Sequence, residues 1–400
     1  MNDYASSDEA INNHFYLFLM KFFNLHQRYT SVINGEKHSR QFFMAGESHA
    51  GHYIPSMAAF IHKKNDEITK LGKADGIKIN VGGIALGNPW TDPYNQYDVS
   101  DFAHGMGLIT EGQKNRLKEV SRECKHQLKQ GNYNQKSCFS LLDDVVDSTS
   151  LTGTHKVLMY DSRRFVHSTS VFPPGHDALE KYLNRADVKA AIHATNNPHR
   201  YVECADPPYL ALSHQDGKGV TAELIDVLNR GTRVLLYSGQ YDIICNHIGS
   251  ERMLSELRWQ GRDGWLKAQP GIWLVEKQPA GFIKSHMNLH SLLGTVLFYT
   301  HIMVESLFGF GFQAIDTKFN SISRVDQCVT LFSVSTVEIW CYVNHHITSI
   351  KQCHCPPPDT SKFDNMLLLQ YITMHFVTLI CFSHLSVILI FNNFNLTSFE

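Results

Sequence analysis

The chain has 400 residues, of which 43% are apolar and 18% charged. That balance supports a sizeable buried core and excludes collagen-like, disulfide-miniprotein and wholly disordered chains. The formal net charge is -2, from 36 Lys plus Arg against 38 Asp plus Glu, so no basic excess advertises a nucleic-acid partner; the 23 His would raise the charge on mild acidification.

Met1 to Ala10 is polar and acidic, without a basic leader region. The apolar run Phe15 to Phe23 is interrupted by Lys21 and has no small-residue cleavage site, so it does not read as a signal peptide. It reads instead as an amphipathic helix over about Ser7 to His26, with Asp8 and Glu9 at its N-terminus. Arg40 to Ala45 predicts a short strand that runs into Gly46-Glu47-Ser48-His49-Ala50-Gly51. A helix follows, with Ile54, Met57, Ala58 and Ile61 on its apolar side. Ile77 to Leu86 predicts a second strand, stopped by Gly87-Asn88-Pro89.

Polar amphipathic helices are expected over about Glu111 to Lys129 and Gln135 to Asp147, and another over Asp187 to Ala194. Cys124 and Cys138 bracket a short polar loop and read either as a local disulfide or as free surface thiols. Arg233 to Ser238 is a near-continuous apolar strand of the kind buried in a parallel sheet. A helix over Ile248 to Arg258 and a strand pair, Ile272 to Glu276 with Gly281 to Lys284, complete the pattern. Together these elements predict an α/β region over residues 1–293 carrying a mainly helical cap at about 111–215.

From Gly294 onward the composition changes. These 107 residues hold only 11 charged residues and 3 of the 26 Gly, but 12 of the 24 Phe and 5 of the 9 Cys. Residues 294–400 are therefore a separate, unassigned hydrophobic tail. Within it, Met366 to Phe391 has the length of a membrane span but carries Gln370, His375 and His384 and no flanking positive cluster. A buried hydrophobic segment is the alternative. Cys353-His354-Cys355, with His345 and His346 nearby, has metal-ligand residue types without a recognised zinc spacing, so no metal site is assigned.

The sharpest chemical signal is strand, then Gly46-Glu47-Ser48-His49-Ala50, then helix. It fits a nucleophile elbow, in which a strained turn lifts the Ser hydroxyl above the sheet and small residues two before and two after make that turn possible. The backbone N–H of His49 would be an oxyanion donor at the start of the helix. An elbow Ser needs an orienting acid and then a His later in the chain. Asp242 follows the strand Arg233 to Ser238 after Gly239-Gln240-Tyr241, where a loop at the C-terminal edge of a sheet would present a carboxylate; a helix cap or a solvated turn is the other reading.

Several segments resemble the serine carboxypeptidases. FFMAGESHAGHYIP resembles their active-serine segment, whose usual form is GESYAGxYxP, with His49 in place of the Tyr. INVGGIALGNPWTDP is similar to their G-N-x-x-T-D-P strand and loop, and DVKAAIHA to one of their short helices. RVLLYSGQYDIICNHIG and AGFIKSHMNLHSL are similar to the segments bearing and preceding their catalytic Asp and His. The matches keep order and spacing from about Ser7 to Leu292. The resemblance implies an α/β-hydrolase fold with a mainly parallel sheet and a helical cap, lacking the first strands, no cofactor, and peptide or protein C-termini as substrate. It further implies a secreted, lysosomal or vacuolar setting.

Carried over by position, Ser48 is the nucleophile and Asp242 the orienting acid. Glu47 matches the residue that hydrogen-bonds the substrate's terminal carboxylate. Two carboxyl groups share a hydrogen bond only when one is protonated, so Glu47 is expected to hold its proton more tightly than usual and to favour an acidic working pH. Cys245 and Asn246 match residues near the substrate pocket, and Cys245 reads equally as a packing cysteine. The family's G-H-[ML]-V-P turn has no clear counterpart. His301, 59 residues after Asp242, is the candidate base, whereas His286 and His290 read as packing or surface residues. The family's N-G-G-P-G segment, source of the second oxyanion N–H and of an Asn for the substrate carboxylate, is absent from the 47 residues before Ser48. Weak or no activity is therefore expected of this chain, and a non-catalytic relative or an acyltransferase is the alternative.

Overall fold

The computed structural model describes residues 4–72, 76–150, 153–202, 204–275 and 277–295, and the backbones of four strands at 328–332, 337–343, 346–348 and 388–391. Helix α1 (Asp8–Leu25) is capped by Ser7, whose hydroxyl accepts the Ala10 N–H at 3.2 Å, and Asp8 and Glu9 occupy its first turn, where the helix dipole favours negative charge. Ile11, Phe15, Leu19 and Phe23 recur every fourth residue and are all buried, so this stripe docks α1 on the main core. A hairpin follows, β1 (Thr30–Ile33) with β2 (Glu36–Ser39); its mostly exposed, polar residues carry little periodicity to announce it.

Strand β3 (Phe42–Glu47) starts two residues later than the sequence predicts and leads directly to α2 (Ala50–Leu71). The single strand expected over Ile77 to Leu86 is two: β4 (Ile77–Lys78) and β5 (Val81–Gly87), in different sheets. Side chains interrupt it. The Asn65 amide accepts from Ile79 N–H at 2.9 Å and donates to Ile79 C=O at 2.8 Å, and the Ser39 hydroxyl accepts the Asn80 N–H at 2.9 Å. With those backbone groups taken, β4 joins β1 and β2 while β5 enters the central sheet.

Strand β5 is followed by α3 (Pro93–Gln96) and α4 (Ser100–Gly105), and the segment expected as the cap, about 111–215, holds α5 (Glu111–Lys129), α6 (Lys136–Ser148), the hairpin β6 (His155–Leu158) and β7 (Asp161–His167), then α7 (His176–Leu183), α8 (Ala186–Ala191) and α9 (Asp206–Leu212). Helix α5 agrees with the sequence reading at both ends and begins with a Thr110–Gln113 capping box. Helix α8 stops three residues before the predicted end, and His193 just beyond it takes a left-handed φ of 57°. Cys124 and Cys138 form a disulfide between α5 and α6, with Cα atoms 4.9 Å apart. It lies within a second apolar core, separate from the one beneath the sheet.

After the cap come α10 (Thr221–Asn229), β8 (Arg233–Gly239), α11 (His247–Glu256), α12 (Arg262–Lys267), β9 (Gly271–Val275), β10 (Gln278–His286) and β11 (Leu289–Gly294). Strands β12 (Cys328–Phe332), β13 (Val337–Val343) and β14 (His346–Thr348) form a small antiparallel sheet, and β15 (Ile388–Phe391) follows. The central sheet has the order β15-β3-β5-β8-β11-β10-β9. Strands β3, β5, β8 and β11 run parallel, and β15, β10 and β9 are antiparallel to their neighbours. Val234, Leu235, Leu236 and Tyr237 are all buried, so both faces of β8 are covered, as its unbroken apolar sequence requires. His286 and His290 lie on β10 and β11, away from the sheet's C-terminal edge; the buried His290 ring contacts the Ser285 hydroxyl at 3.0 Å.

Candidate active site

Ser48 stands between the last residue of β3 and the N-cap of α2, with φ of 59°. A non-glycine residue in this left-handed region stores backbone strain, and such strain gathers at functional turns. The turn is fastened on three sides: Ser48 N–H donates to Gly87 C=O at 2.9 Å, while Ser48 C=O accepts from Gly51 N–H at 2.9 Å and from Trp90 N–H at 2.8 Å. Pro55, inside α2, has no N–H to give the Gly51 carbonyl one turn earlier, and the Thr91 hydroxyl supplies that bond instead at 2.9 Å. The elbow is thus tied to the Gly87–Thr91 loop that leaves β5. His49 is the N-cap of α2, among the amides that the helix's own ladder leaves to other acceptors.

Asp242 lies in the loop after β8, two strands from Ser48 across β5. It is 8% exposed, so the solvated-turn alternative does not describe it. One carboxylate oxygen accepts the N–H of Ile244 at 3.0 Å and of Cys245 at 3.3 Å, and the other accepts from the Asn88 side-chain amide at 2.7 Å. Asn88 is itself held in place: its side-chain oxygen accepts the Gly239 N–H at 3.1 Å, its own N–H donates to Tyr237 C=O at 2.7 Å, and its φ is 37°. The cap hairpin braces the same loop. Ile243 N–H donates to Met159 C=O at 2.9 Å, Ser162 N–H to Tyr241 C=O at 2.8 Å, and the Arg163 guanidinium lies 4.1 Å from the centre of the Tyr241 ring.

The Asp242 carboxyl is buried near a second acid, Glu47. Burial pushes the Asp242 carboxyl up to about 7; the negative charge of Glu47 adds to this, and the donors from Cys245, Asn88 and Ile244 do not offset it. The Cys245 thiol is pushed well up by burial and then by Asp242, and it is hydrogen-bonded to the Ser48 side chain. Ser48, Glu47, Asp242 and Cys245 therefore form one cluster. Asn246 has a different position: fully buried, it caps α11 by accepting the Gly249 N–H at 3.0 Å and donates to Ile243 C=O at 3.1 Å. His301 lies outside the described residues, as do Cys353, His354, Cys355 and residues 366–387. No helix among the described residues is long and apolar enough to cross a membrane, and no group of three or more His, Cys, Asp or Glu among them is arranged to hold a metal ion.

Behind the elbow is a buried charge network. His52, one turn into α2, bonds Asp8 of α1 at 3.0 Å, and Lys218 and Gln215 reach the same carboxylate at 2.9 and 3.2 Å. Burial alone would raise the Asp8 carboxyl, but the bonds from His52 and Lys218 outweigh it and hold it well below the usual carboxylate range. The His49 ring stacks on His52 with centroids 5.3 Å apart; burial, then the neighbouring His52, lowers its pKa to about 3. His49 is thus a neutral packing ring beneath the nucleophile. Sequence reasoning missed both Asn88, read only as part of a strand stop, and the Asp8–His52 tie, whose partners are 44 residues apart.

A family profile described as serine carboxypeptidase matches residues 1–296. The pheromone-processing carboxypeptidase KEX1 of Phytophthora infestans is 36% identical over 299 residues, covering 74% of this chain and 49% of that protein. A serine carboxypeptidase S10 family member of Dictyostelium discoideum is 35% identical, covering 72% and 50%. The chain thus spans about half the length of these curated relatives. The solved structure of a prohormone-processing carboxypeptidase from Saccharomyces cerevisiae superposes with a TM-score of 0.62 at 23% identity, covering 73% of this chain and 63% of that one, and shows a shared α/β-hydrolase fold. The chain belongs to the serine carboxypeptidase family.

Proposed function

We propose that the protein is a serine-type carboxypeptidase that releases C-terminal residues from peptides through an acyl-enzyme on Ser48. The observation that carries this reading is the strained Ser48 turn at the C-terminal edge of β3, with the buried, triply hydrogen-bonded Asp242 two strands away. In this mechanism a His, for which His301 is the candidate, takes the Ser48 proton as the hydroxyl oxygen attacks the last peptide carbonyl. Asp242 orients that imidazole, and the His49 amide faces the developing oxyanion. The proton passes to the departing amine, and water then cleaves the ester. Glu47, as the protonated partner of the substrate's terminal carboxylate, restricts the site to free C-termini and favours acidic pH. Cys245, hydrogen-bonded to Ser48, lies beside the nucleophile, and Asn246 acts there through the backbone it caps.

The 400 residues contain no Asn-Gly-Gly-Pro-Gly segment, and loss of one oxyanion donor costs about 100- to 1000-fold in rate. A polypeptide of these residues alone is therefore expected to turn over slowly. The Cys124–Cys138 disulfide favours an oxidising setting such as a secretory, lysosomal or vacuolar compartment. The test is incubation at pH 5 with an N-blocked dipeptide and with its C-terminal amide, beside Ser48→Ala. Slow release from the free acid only, abolished by Ser48→Ala, is the expected result. Equal background from both proteins would overturn the enzyme reading in favour of a non-catalytic relative, and product capture by an added alcohol in place of water would favour acyl transfer.

A further inference from the structure

Tyr237 is only 4% exposed, and its hydroxyl is buried without a hydrogen-bond partner among the described residues. Leaving a hydroxyl unpaired in the interior costs stability, and Phe would fill the same space without that cost. The position is informative. Glu47 pairs with Gly87, and Gly87 with Tyr237, so the three form one row across β3, β5 and β8 on a single face of the sheet. A Cβ at Gly87 would stand 2.5 Å from two ring carbons of Tyr237 and 2.6 Å from its hydroxyl oxygen. The phenol therefore lies over Gly87, in a gap that only glycine leaves open, in the row whose next residue is Glu47.

We propose that Tyr237 is a positioning residue of the substrate-carboxylate site: without a partner among the described residues here, its hydroxyl donates to one oxygen of the Glu47 carboxyl once the other, protonated oxygen donates to the C-terminal carboxylate of a bound peptide. The proton count is consistent: the phenol and Glu47 each give one hydrogen bond, and the peptide carboxylate accepts. A donor on the carbonyl oxygen of Glu47 also polarises its O–H and strengthens the bond to the peptide. Burial pushes the phenol well above its ordinary value, so it stays a donor throughout the acidic and neutral range. This inference rests on the carboxypeptidase reading, because only that reading places a peptide carboxylate at Glu47.

The experiment is isothermal titration of the 400-residue protein at pH 5 with N-acetylphenylalanine and, as control, its C-terminal amide. Wild type should prefer the acid. Tyr237→Phe should lose about tenfold in affinity for the acid and nothing for the amide, with a melting temperature equal to or above that of wild type. In a Glu47→Ala background Tyr237→Phe should cost nothing further. Unchanged affinity of Tyr237→Phe for the acid would overturn the proposal alone, as would a tenfold loss that persists in the Glu47→Ala background. A wild type that does not distinguish acid from amide would overturn the carboxypeptidase reading and this proposal together.

Discussion

A methyl group placed on Gly51 would stand 2.5 Å from Pro89 Cβ, 2.7 Å from the Trp90 amide nitrogen and 2.8 Å from Pro89 Cα. Two of these are backbone atoms and the third belongs to a rigid ring, so no side chain can swing aside. The loop cannot retreat either without stretching the Trp90 N–H bond to Ser48 C=O and the Thr91 hydroxyl bond to Gly51 C=O. Overpacking of this kind costs about 1–3 kcal/mol, and contacts this short with backbone place Gly51→Ala near 3 kcal/mol. For a region of this size, with an unfolding entropy of about 2.1 cal/mol/K per residue, that corresponds to a fall in melting temperature of roughly 5 °C. The variant should also react more slowly at Ser48, because the bonds that stretch are those that hold the elbow. The assay pairs thermal melting with the rate of Ser48 modification by a fluorophosphonate, measured well below the melting point. A Gly51→Ala protein that melts with wild type and reacts at the same rate would refute the close-packed elbow.

Asp8→Asn should cost about 1.5–3 kcal/mol at pH 7, the scale of hydrogen bonds to a charged group. Because the folded carboxyl titrates below its unfolded value, the stability it adds is present above about pH 4 and lost as pH falls below that. Melting curves of wild type and Asp8→Asn should therefore converge on acidification, and a constant gap from pH 7 to pH 2 would contradict the charge network. Asn88→Ala removes the donor on one Asp242 oxygen and leaves Gly239 N–H unpaired, and should slow fluorophosphonate labelling of Ser48 about tenfold; labelling at the wild-type rate would show that Asn88 does not orient Asp242. Replacing Cys124 and Cys138 by Ser opens a crosslink between positions 14 apart and should lower cap stability in urea by about 3 kcal/mol, whereas unchanged unfolding would show that the bridge is dispensable.

What the sequence revealed depended on the range of the interactions involved. The elbow was readable because its requirements are local: small residues at Gly46 and Ala50, a strand before and a helix after. Helix α1 was readable for the same reason, from the apolar run Phe15 to Phe23 with Asp8 and Glu9 before it. Asn88 was not readable, since its role comes from partners 151 and 154 residues away, Gly239 and Asp242. The strand expected at Ile77 to Leu86 failed at Ile79 and Asn80 because Asn65 and Ser39 compete there for the backbone, an interaction that no propensity encodes. The hairpins β1–β2 and β6–β7 lack a clean alternation of buried and exposed residues and left no pattern to find. The cap that the Asn246 side chain gives helix α11 was not legible beside its positional match to a residue near the pocket.

The central claim is that Ser48 is a nucleophile activated by its turn and by the group that Asp242 orients. Mass spectrometry of the protein after incubation with a fluorophosphonate at pH 7 tests it directly. The account predicts a single phosphonyl adduct, mapped to the peptide containing Ser48 and lost in Ser48→Ala. No adduct, or one that survives Ser48→Ala, would contradict it.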